Sequence, residues 1–227
     1  LLNPETLEKK VRGLVEWKNL MIKGGYGTEA VDAGEMISWL RKYGDWLKPF
    51  ICDTTLLLSA AIKEEKNILF EAQLGALKDI DFGIVPYTTS SSTIAAYAPI
   101  GSGVPFAKLD RVIGITKAYS SAVGEGPFTA ELFGEEAAKL REAGGEYGAA
   151  TGRPRRVGPF DVVATKYGVI IQGATEIALT KLDVLSYMDK IPVCVAYEID
   201  GERTTDFPIG DRLDRAKPVY EYMEGFK

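Results

Sequence analysis

The chain has 227 residues, 46% of them hydrophobic and 26% charged, with a mean hydropathy of −0.04. These values exclude a disordered chain and suit one globular domain or a large piece of a bigger one. The formal net charge of −5 argues against a broad nucleic-acid-binding surface, so we expect no nucleic acid partner. No apolar run approaches the roughly 18 residues of a spanning helix, and a signal peptide pattern is absent, so we predict a cytoplasmic protein without a membrane partner.

The chain contains no histidine and two cysteines. Without histidine, these residues can supply neither a Ser-His-Asp or Cys-His catalytic group nor an imidazole metal ligand. Cys52 and Cys194 lie in apolar surroundings and show no CxxC spacing. We therefore predict two buried thiols rather than a disulfide or a zinc site, and no metal site in this chain.

Residues 1–66 are predicted to form a helical segment. Asn3 followed by Pro4 is a typical helix start, apolar residues then recur at helical spacing, and the glycines within residues 24–27 separate the first two helices. A third helix is expected after a cap at Asp53 or Thr54. Because the chain starts on the edge of a helix and ends on an aromatic segment, we expect a fragment of a longer protein.

From residue 67 onward, short apolar runs alternate with helix-like stretches. The runs are residues 67–70, 112–116, 176–180 and 193–197, and the clearest helices are 135–142 and 161–171. Buried strands that alternate with helices predict an α/β fold with a mainly parallel central sheet flanked by helices, which we assign to residues 67–227. The polar stretch 88–93 is interpreted as an ordered loop, with a flexible serine-rich linker as the alternative.

The apolar run 176–180 is followed directly by Lys181-Leu182-Asp183. A strand that ends in Lys-x-Asp suits guanine recognition, because the carboxylate accepts from both N1–H and the exocyclic amine while the lysine stem covers the ring. Ligands of open α/β sheets also bind at the carboxyl ends of strands. The alternative is a solvated Lys-Asp pair at the end of a strand.

A second candidate segment spans residues 147–156, where glycines flank Thr151 and three arginines follow. Such a loop offers backbone N–H groups and forked guanidinium donors to a carboxylate or a phosphate. The alternative is an exposed basic turn that pairs with some of the 32 acidic side chains. Two further segments, residues 67–83 and 124–128, are each typical of ordinary turns when taken alone.

Taken together and in order, these segments resemble the adenylosuccinate synthetases, GTP-dependent enzymes that join IMP and L-aspartate. The matching motifs are Phe70-Glu71, Asp79-Ile80-Asp81-Phe82-Gly83, Pro86-Tyr87 with Thr89-Ser90-Ser91, Lys117-Ala118-Tyr119-Ser120, Val123-Gly124-Glu125-Gly126-Pro127-Phe128, Gly148-Ala149 with Thr151-Gly152-Arg153, Thr180-Lys181-Leu182-Asp183-Val184-Leu185, and Cys194-Val195-Ala196-Tyr197. The resemblance implies a P-loop NTPase-like fold that is incomplete at the N-terminus, and a homodimer.

The resemblance also implies roles for individual residues. GTP would be bound by Lys181, Leu182, Asp183 and Arg155, aspartate by Ala149, Ala150, Thr151, Gly152, Arg153, Pro154 and Arg155, and IMP by Gln73, Thr89, Val123 and Arg153. An ungapped comparison puts Leu74 where the family has an IMP-binding glutamine. Either Gln73 serves from a shifted register or that contact is lost.

The 227 residues lack the family's Gly-Asp-Glu-Gly-Lys-Gly-Lys phosphate loop and its acid and base residues. The resemblance implies GTP as a co-substrate, with the Mg²⁺ ligands outside this chain. Because the phosphate loop is missing from these residues, we predict that the chain is inactive alone. Two alternatives are a non-catalytic nucleotide-binding or interaction module of the same family and a regulatory GTPase. The GTPase is disfavoured because no GxxxxGK[ST] loop is present.

Overall fold

The structure, a computed structural model, describes residues 2–72 and 74–226. The chain divides into two compact units, Leu1–Ala60 and Ala61–Lys227. Within the described ranges, none of the helices combines the length and the apolar character that crossing a bilayer requires.

The first unit is helical, as predicted. Its helices are α1 (Pro4–Tyr26) and α2 (Ala33–Leu47), followed by a 3-10 turn and by α3 (Thr54–Lys63), which continues into the second unit. Asn3 caps α1 by accepting from Thr6 N at 2.9 Å, and Gly27 ends the helix with a left-handed φ of 64°. The predicted cap of α3 is Asp53, whose carboxylate accepts from Leu56 N.

The prediction of two buried thiols is wrong for one of them. Cys194 is buried in the second unit, whereas Cys52 is exposed in the segment that precedes α3. The apolar neighbours of Cys52 do not bury it, because Phe50 is 75% exposed and Ile51 is 38% exposed. Apolar neighbours along the chain predict burial only where a second element packs over them.

The second unit alternates helices and strands. Its elements are α4 (Tyr97–Gly101), β1 (Ile113–Lys117), β2 (Tyr119–Ala122), α5 (Gly134–Gly144), β3 (Arg156–Asp161), α6 (Val162–Gln172), β4 (Glu176–Thr180), β5 (Lys190–Ile199), β6 (Glu202–Thr204), α7 (Asp211–Asp214) and β7 (Lys217–Glu224). The predicted strands 112–116, 176–180 and 193–197 correspond to β1, β4 and part of β5. The predicted helices 135–142 and 161–171 correspond to α5 and α6.

The α/β class is confirmed, but the strand pairing is mixed rather than mainly parallel. β1 and β4 form a parallel pair in which Lys117 lies opposite Thr180. The second sheet has the strand order β2-β3-β5-β6, and β7 also pairs with β5. Of its described strand pairs, β3–β5 is parallel, and β2–β3, β5–β6 and β5–β7 are antiparallel. β5 and β6 are antiparallel because Asp200 and Gly201, with φ of 53° and 86°, form a tight two-residue turn.

The predicted strand at residues 67–70 is absent from the structure. These residues are irregular, and Leu69 is 90% exposed. No described strand pairs with this run, so its backbone groups have no ladder in which to bond. A short apolar run becomes a strand only where a neighbouring strand is available.

Two buried clusters hold the second unit together. The first includes Tyr119, Leu140 and Val157, and it packs α5 on β2 and β3. The second includes Val163 and Tyr197, and it packs α6 on β5. The first cluster also contains Ala118, which follows β1, and Val184 and Leu185, which lie in the turn after β4, so it anchors the ends of the two strands that carry candidate site residues.

Candidate nucleotide-binding site

The segment Thr180–Asp183 lies at the C-terminal end of the parallel strand β4. Lys181 adopts a left-handed conformation with φ 60°, and a 3-10 turn follows over Leu182–Leu185. Val184 and Leu185 are buried and anchor this turn, while Lys181, Leu182 and Asp183 are exposed. The ammonium group of Lys181 donates to the carbonyl oxygen of Gly144, at the end of α5, over 3.1 Å.

A buried carboxylate lies two residues beyond Gly144. Glu146 is 2% exposed, and its Oε1 accepts from Lys117 Nζ at 2.7 Å and from the Tyr119 hydroxyl at 2.5 Å. Its Oε2 accepts from Arg155 Nη1 at 3.0 Å. These four residues, which we call the Glu146 cluster, join the end of β1, the start of β2 and the end of the 147–155 loop.

The electrostatics of the Glu146 cluster keep the carboxylate ionised. Burial raises the pKa of Glu146, but hydrogen bonds from Lys117, Tyr119 and Arg155 and the charge of Lys117 more than offset it, and the pKa is lowered. Burial and the bond to Glu146 raise the pKa of Tyr119, so its hydroxyl stays a donor. Because Lys117 and Arg155 are both cationic and Glu146 is the one carboxylate among the four residues, the Glu146 cluster carries a net positive charge.

The candidate guanine residues lie around this cluster. Asp183 lies two residues beyond Lys181, exposed in the 3-10 turn that follows β4, and its charge contributes to the raised pKa of Tyr119. Lys181 bonds to Gly144, and Arg155 bonds to Glu146. The structure therefore brings together the side chains that sequence analysis assigned to the GTP site from two separate segments.

The arginine-rich loop forms a short closed hairpin. Tyr147 bridges Pro154, the Gly148 amide donates to Arg153 O at 2.9 Å, and the Gly152 amide donates to Gly148 O at 2.8 Å. The residues predicted to bind aspartate are exposed on it except for the half-buried Arg155: these are Ala149, Ala150, Thr151, Gly152, Arg153 and Pro154.

The alternative of a basic turn paired with acidic side chains fits only part of this loop. Arg155 pairs with Glu146, and Arg156 pairs with Glu131 through two short contacts. Among the described residues, no acidic group lies within ion-pair distance of Arg153. The exposed guanidinium of Arg153 is therefore available to an anionic ligand.

The residues predicted to bind IMP lie on neighbouring loops. The Thr89 amide donates to Lys78 O at 2.8 Å, and Val123 is 67% exposed at the end of β2. The two loops meet where the Tyr87 side chain packs on Gly126, since a Cβ on this glycine would lie 2.7 Å from the Tyr87 ring. Gln73 lies outside the described residues, and Leu74 is half exposed.

The polar stretch 88–93 packs against the protein rather than forming a free linker. The buried carboxylate of Asp79 accepts from Thr93 N at 2.6 Å and from Ser92 Oγ at 3.1 Å. It also accepts from the amides of Asp81 and Phe82, so both carboxylate oxygens are fully used. The sequence predicts an ordered loop and includes Asp79 in a matching motif, but it does not indicate that Asp79 anchors the loop.

The described residues do not fit a magnesium site. In the ranges 2–72 and 74–226, no group of three or more Asp, Glu or Cys side chains is placed to hold a metal ion. The buried carboxylates Glu146 and Asp79 already bond to protein donors. No chemical step is therefore assigned to a metal held by these residues.

The structure is that of an α/β protein whose candidate site lies at the ends of strands. Comparison with known proteins identifies the family to which the chain belongs. A family model described as adenylosuccinate synthetase matches residues 1–227, and the chain belongs to this family. It is 45% identical to the adenylosuccinate synthetases of Cyanothece sp. and Bifidobacterium adolescentis, matching all of this chain and 51% and 53% of theirs.

A solved structure supports the same relationship. The fully ligated adenylosuccinate synthetase of Plasmodium falciparum superposes with a TM-score of 0.89 at 33% identity, covering 99% of this chain and 53% of that one. The chain therefore spans about half the length of the relatives that it matches.

Proposed function

We propose that this chain supplies the guanine- and aspartate-binding portion of an adenylosuccinate synthetase, a ligase of AMP biosynthesis. In that reaction GTP phosphorylates O6 of IMP, and the amine of L-aspartate then displaces the phosphate from 6-phosphoryl-IMP. One observation carries the proposal: Lys181 and Arg155 are both bonded to the segment Gly144–Glu146, and Asp183 lies two residues beyond Lys181 in the same exposed turn.

Asp183 is the residue that distinguishes guanine from adenine. Its exposed carboxylate accepts from N1–H and from the exocyclic amine, whereas adenine offers an acceptor at N1. The Lys181 stem covers the ring face, and its ammonium bonds to Gly144 O. A site that pairs two donors of the correct base discriminates strongly, because the wrong base leaves the carboxylate unpaired.

The 147–155 loop binds the aspartate substrate. Arg153 offers a planar fork of donors that matches a carboxylate, and Thr151 offers a hydroxyl and a backbone amide. The hairpin bonds across Gly148 hold the loop in shape before the ligand arrives. Arg155 serves the GTP side of the same loop.

IMP is bound by the loops that carry Thr89 and Val123, with Arg153 reaching it from the aspartate loop. Thr89 provides a hydroxyl for the IMP phosphate, and Val123 provides backbone groups for the sugar. The contact between Tyr87 and Gly126 fixes the distance between the two loops. Gln73 is proposed to fill the place of the family's glutamine.

The chemical step needs groups beyond these residues. Phosphoryl transfer depends on a phosphate loop and Mg²⁺ to position and neutralise the phosphates, and the 227 residues contain no such loop. We therefore propose a cytoplasmic, homodimeric enzyme in its full-length form, and a chain that binds guanine nucleotides but forms no adenylosuccinate by itself.

Calorimetric titration of this chain with GTP, GDP and ATP tests the proposal. Wild type is expected to bind GTP and GDP but not ATP, and Asp183→Ala is expected to lose the guanine preference. Asp206→Ala, which alters an exposed carboxylate outside the site, is the control and should bind like wild type. Equal affinity for GTP and ATP, or a preference that survives in Asp183→Ala, would refute the proposal.

A further inference from the structure

The buried Glu146 has no role in the binding scheme above, although it touches Arg155. Its side chain is 3% exposed, whereas those of its partners Lys117 and Arg155 are 27% and 34% exposed. Burial of a charged carboxylate destabilises the folded protein through desolvation unless hydrogen bonds and opposite charges offset this effect. Each of its two oxygens is used, and each bond leads to a different element.

The main chain of Glu146 also bonds to Arg155, and it bonds to α5 as well. Its carbonyl oxygen accepts from the Arg155 amide at 2.9 Å, and its amide donates to Arg141 O at 2.9 Å. Arg155 is thus held to Glu146 at both its main chain and its guanidinium. This double attachment fixes the position of the guanidinium relative to α5.

The guanine-binding strand end is attached to the same place. Lys117 lies opposite Thr180 in the parallel ladder, and the next residue, Ala118, donates its amide to Thr180 O at 2.9 Å. Lys181 then bonds to Gly144 O. The Glu146 cluster therefore connects the two chain segments that carry the proposed GTP contacts.

We propose that Glu146 is a positioning residue that holds Arg155 and the strand end of Lys181 in the geometry required by a guanine nucleotide. The proposal rests on the proposed function of this site. Glu146 itself touches no ligand, because its side chain is buried and bonded to protein donors. It acts through Arg155, whose guanidinium is half-buried at the rim of the site.

Glu146→Gln tests this role, because glutamine keeps the size and one acceptor but removes the charge. We expect its Kd for GTP to rise by at least about tenfold, while its Kd for IMP stays within about twofold of wild type. Glu176→Gln is the matched control. Glu176 also forms an ion pair with an arginine, Arg111, at 2.6 Å, but it lies at the start of β4, away from Lys181. GTP binding by this control should be unchanged.

A double-mutant cycle separates positioning from general stability. If Glu146 acts through Arg155, Glu146→Gln weakens GTP binding much less in an Arg155→Ala background than in wild type. Equal effects in both backgrounds would overturn the proposal, as would unchanged GTP binding in Glu146→Gln. A similar loss of GTP and IMP binding would show a merely structural role and would also overturn it.

The same titrations distinguish failure of this proposal from failure of the proposed function. If wild type shows no preference for GTP over ATP, the proposed function fails, and the role of Glu146 fails with it. If wild type prefers GTP and Glu146→Gln retains full affinity, only the role of Glu146 is refuted. Circular dichroism of each variant shows whether it folds. If Glu146→Gln does not fold, Glu146→Asp, which retains the charge, is tested in its place. Its loss of affinity for GTP is expected to be intermediate.

Discussion

Two buried aspartates of the second unit have opposite protonation preferences. Asp79 accepts four hydrogen bonds, three from backbone amides and one from a hydroxyl. Burial raises its pKa, but these bonds more than offset it and lower the pKa to about 2. The charged form is thus the stable one in the folded protein, and it holds the 88–93 loop in place.

Asp79→Asn is expected to destabilise the protein at neutral pH by about 2 kcal/mol, since each pKa unit corresponds to about 1.4 kcal/mol. Because the pKa is lowered on folding, this stability is present above the unfolded pKa and is lost as the pH falls through the folded pKa. Urea unfolding at pH 7 and pH 3 measures it. Asp81→Asn, an exposed neighbour, is the control, and an equal effect of both substitutions would contradict the assignment.

Asp161 behaves in the opposite way. Burial raises its pKa despite bonds from the Ala164 amide at 3.0 Å and the Tyr197 hydroxyl at 2.6 Å. A raised carboxyl pKa contributes stability below the unfolded pKa, and this is lost as the pH rises through the folded pKa. At neutral pH, the charge of Asp161 therefore opposes folding, although its oxygen caps α6.

Asp161→Asn is expected to leave stability at pH 7 unchanged or improved, because asparagine keeps the cap without the buried charge. Asp161→Ala removes the cap and is expected to cost about 1 kcal/mol or more. Thermal melting of the two variants compares them directly. An asparagine variant less stable than the alanine variant would contradict this interpretation.

At the scale of elements, α5 ends against the candidate site through Gly144. A Cβ at this position would lie 2.5 Å from the Tyr119 hydroxyl, which itself bonds to Glu146. No side chain fits there without moving the Glu146 cluster. The glycine therefore sets how closely α5 approaches β2.

Gly144→Ala is expected to destabilise the protein by about 1–3 kcal/mol, the usual cost of overpacking, and to weaken GTP binding. Gly13→Ala in α1 is the control, because nothing lies within 4 Å of its Cβ position and alanine favours a helix. Chemical unfolding and titration with GTP measure both effects. A Gly144→Ala protein as stable as wild type would show that the packing there is loose.

Elements with a local signal could be predicted from the sequence. Asn3 and Asp53 cap helices where their spacing indicates, and the Lys181–Asp183 motif lies at a strand end as expected. The Asp200-Gly201 turn is also a local hairpin signal, and it makes β5 and β6 antiparallel, as β2–β3 and β5–β7 are.

Long-range contacts left no such signal. Glu146 meets Lys117, Tyr119 and Arg155 across 29, 27 and 9 residues of chain. Its own neighbours, two glycines before it and a tyrosine after it, resemble those of a surface turn. Burial of an acidic residue depends on which elements pack over it, and neither periodicity nor spacing contains that information.

At the scale of the whole molecule, the β1–β4 pair is unusual because it is parallel, two-stranded and apolar. Ile115 is 77% exposed, Ile177 is 53% exposed and Leu179 is 47% exposed. Parallel sheets are normally covered on both faces, and two strands alone are marginally stable. The relatives are about twice as long as this chain, so they have more chain available to cover such a sheet.

Ile115→Thr is expected to lower the binding of a hydrophobic fluorescent dye to this chain, because Ile115 shares one face of β1 with Ile113, which is 50% exposed, and the substitution reduces that apolar patch. Threonine retains the β-branched shape, so the strand should persist. Ile209→Thr is the matched control, since Ile209 has the same 77% exposure but lies outside the two strands. Equal loss of dye fluorescence in both variants would argue against a patch on this sheet.

The central claim is that the Asp183 carboxylate recognises the guanine base by hydrogen bonding. The most direct test changes both the base of the nucleotide and the residue at position 183. Asp183→Asn replaces one acceptor by an amide donor, which suits xanthine, where a C2 carbonyl stands in place of the exocyclic amine. We predict that wild type binds GTP better than xanthosine triphosphate and that Asp183→Asn reverses the order. An unchanged order in the variant would contradict the account.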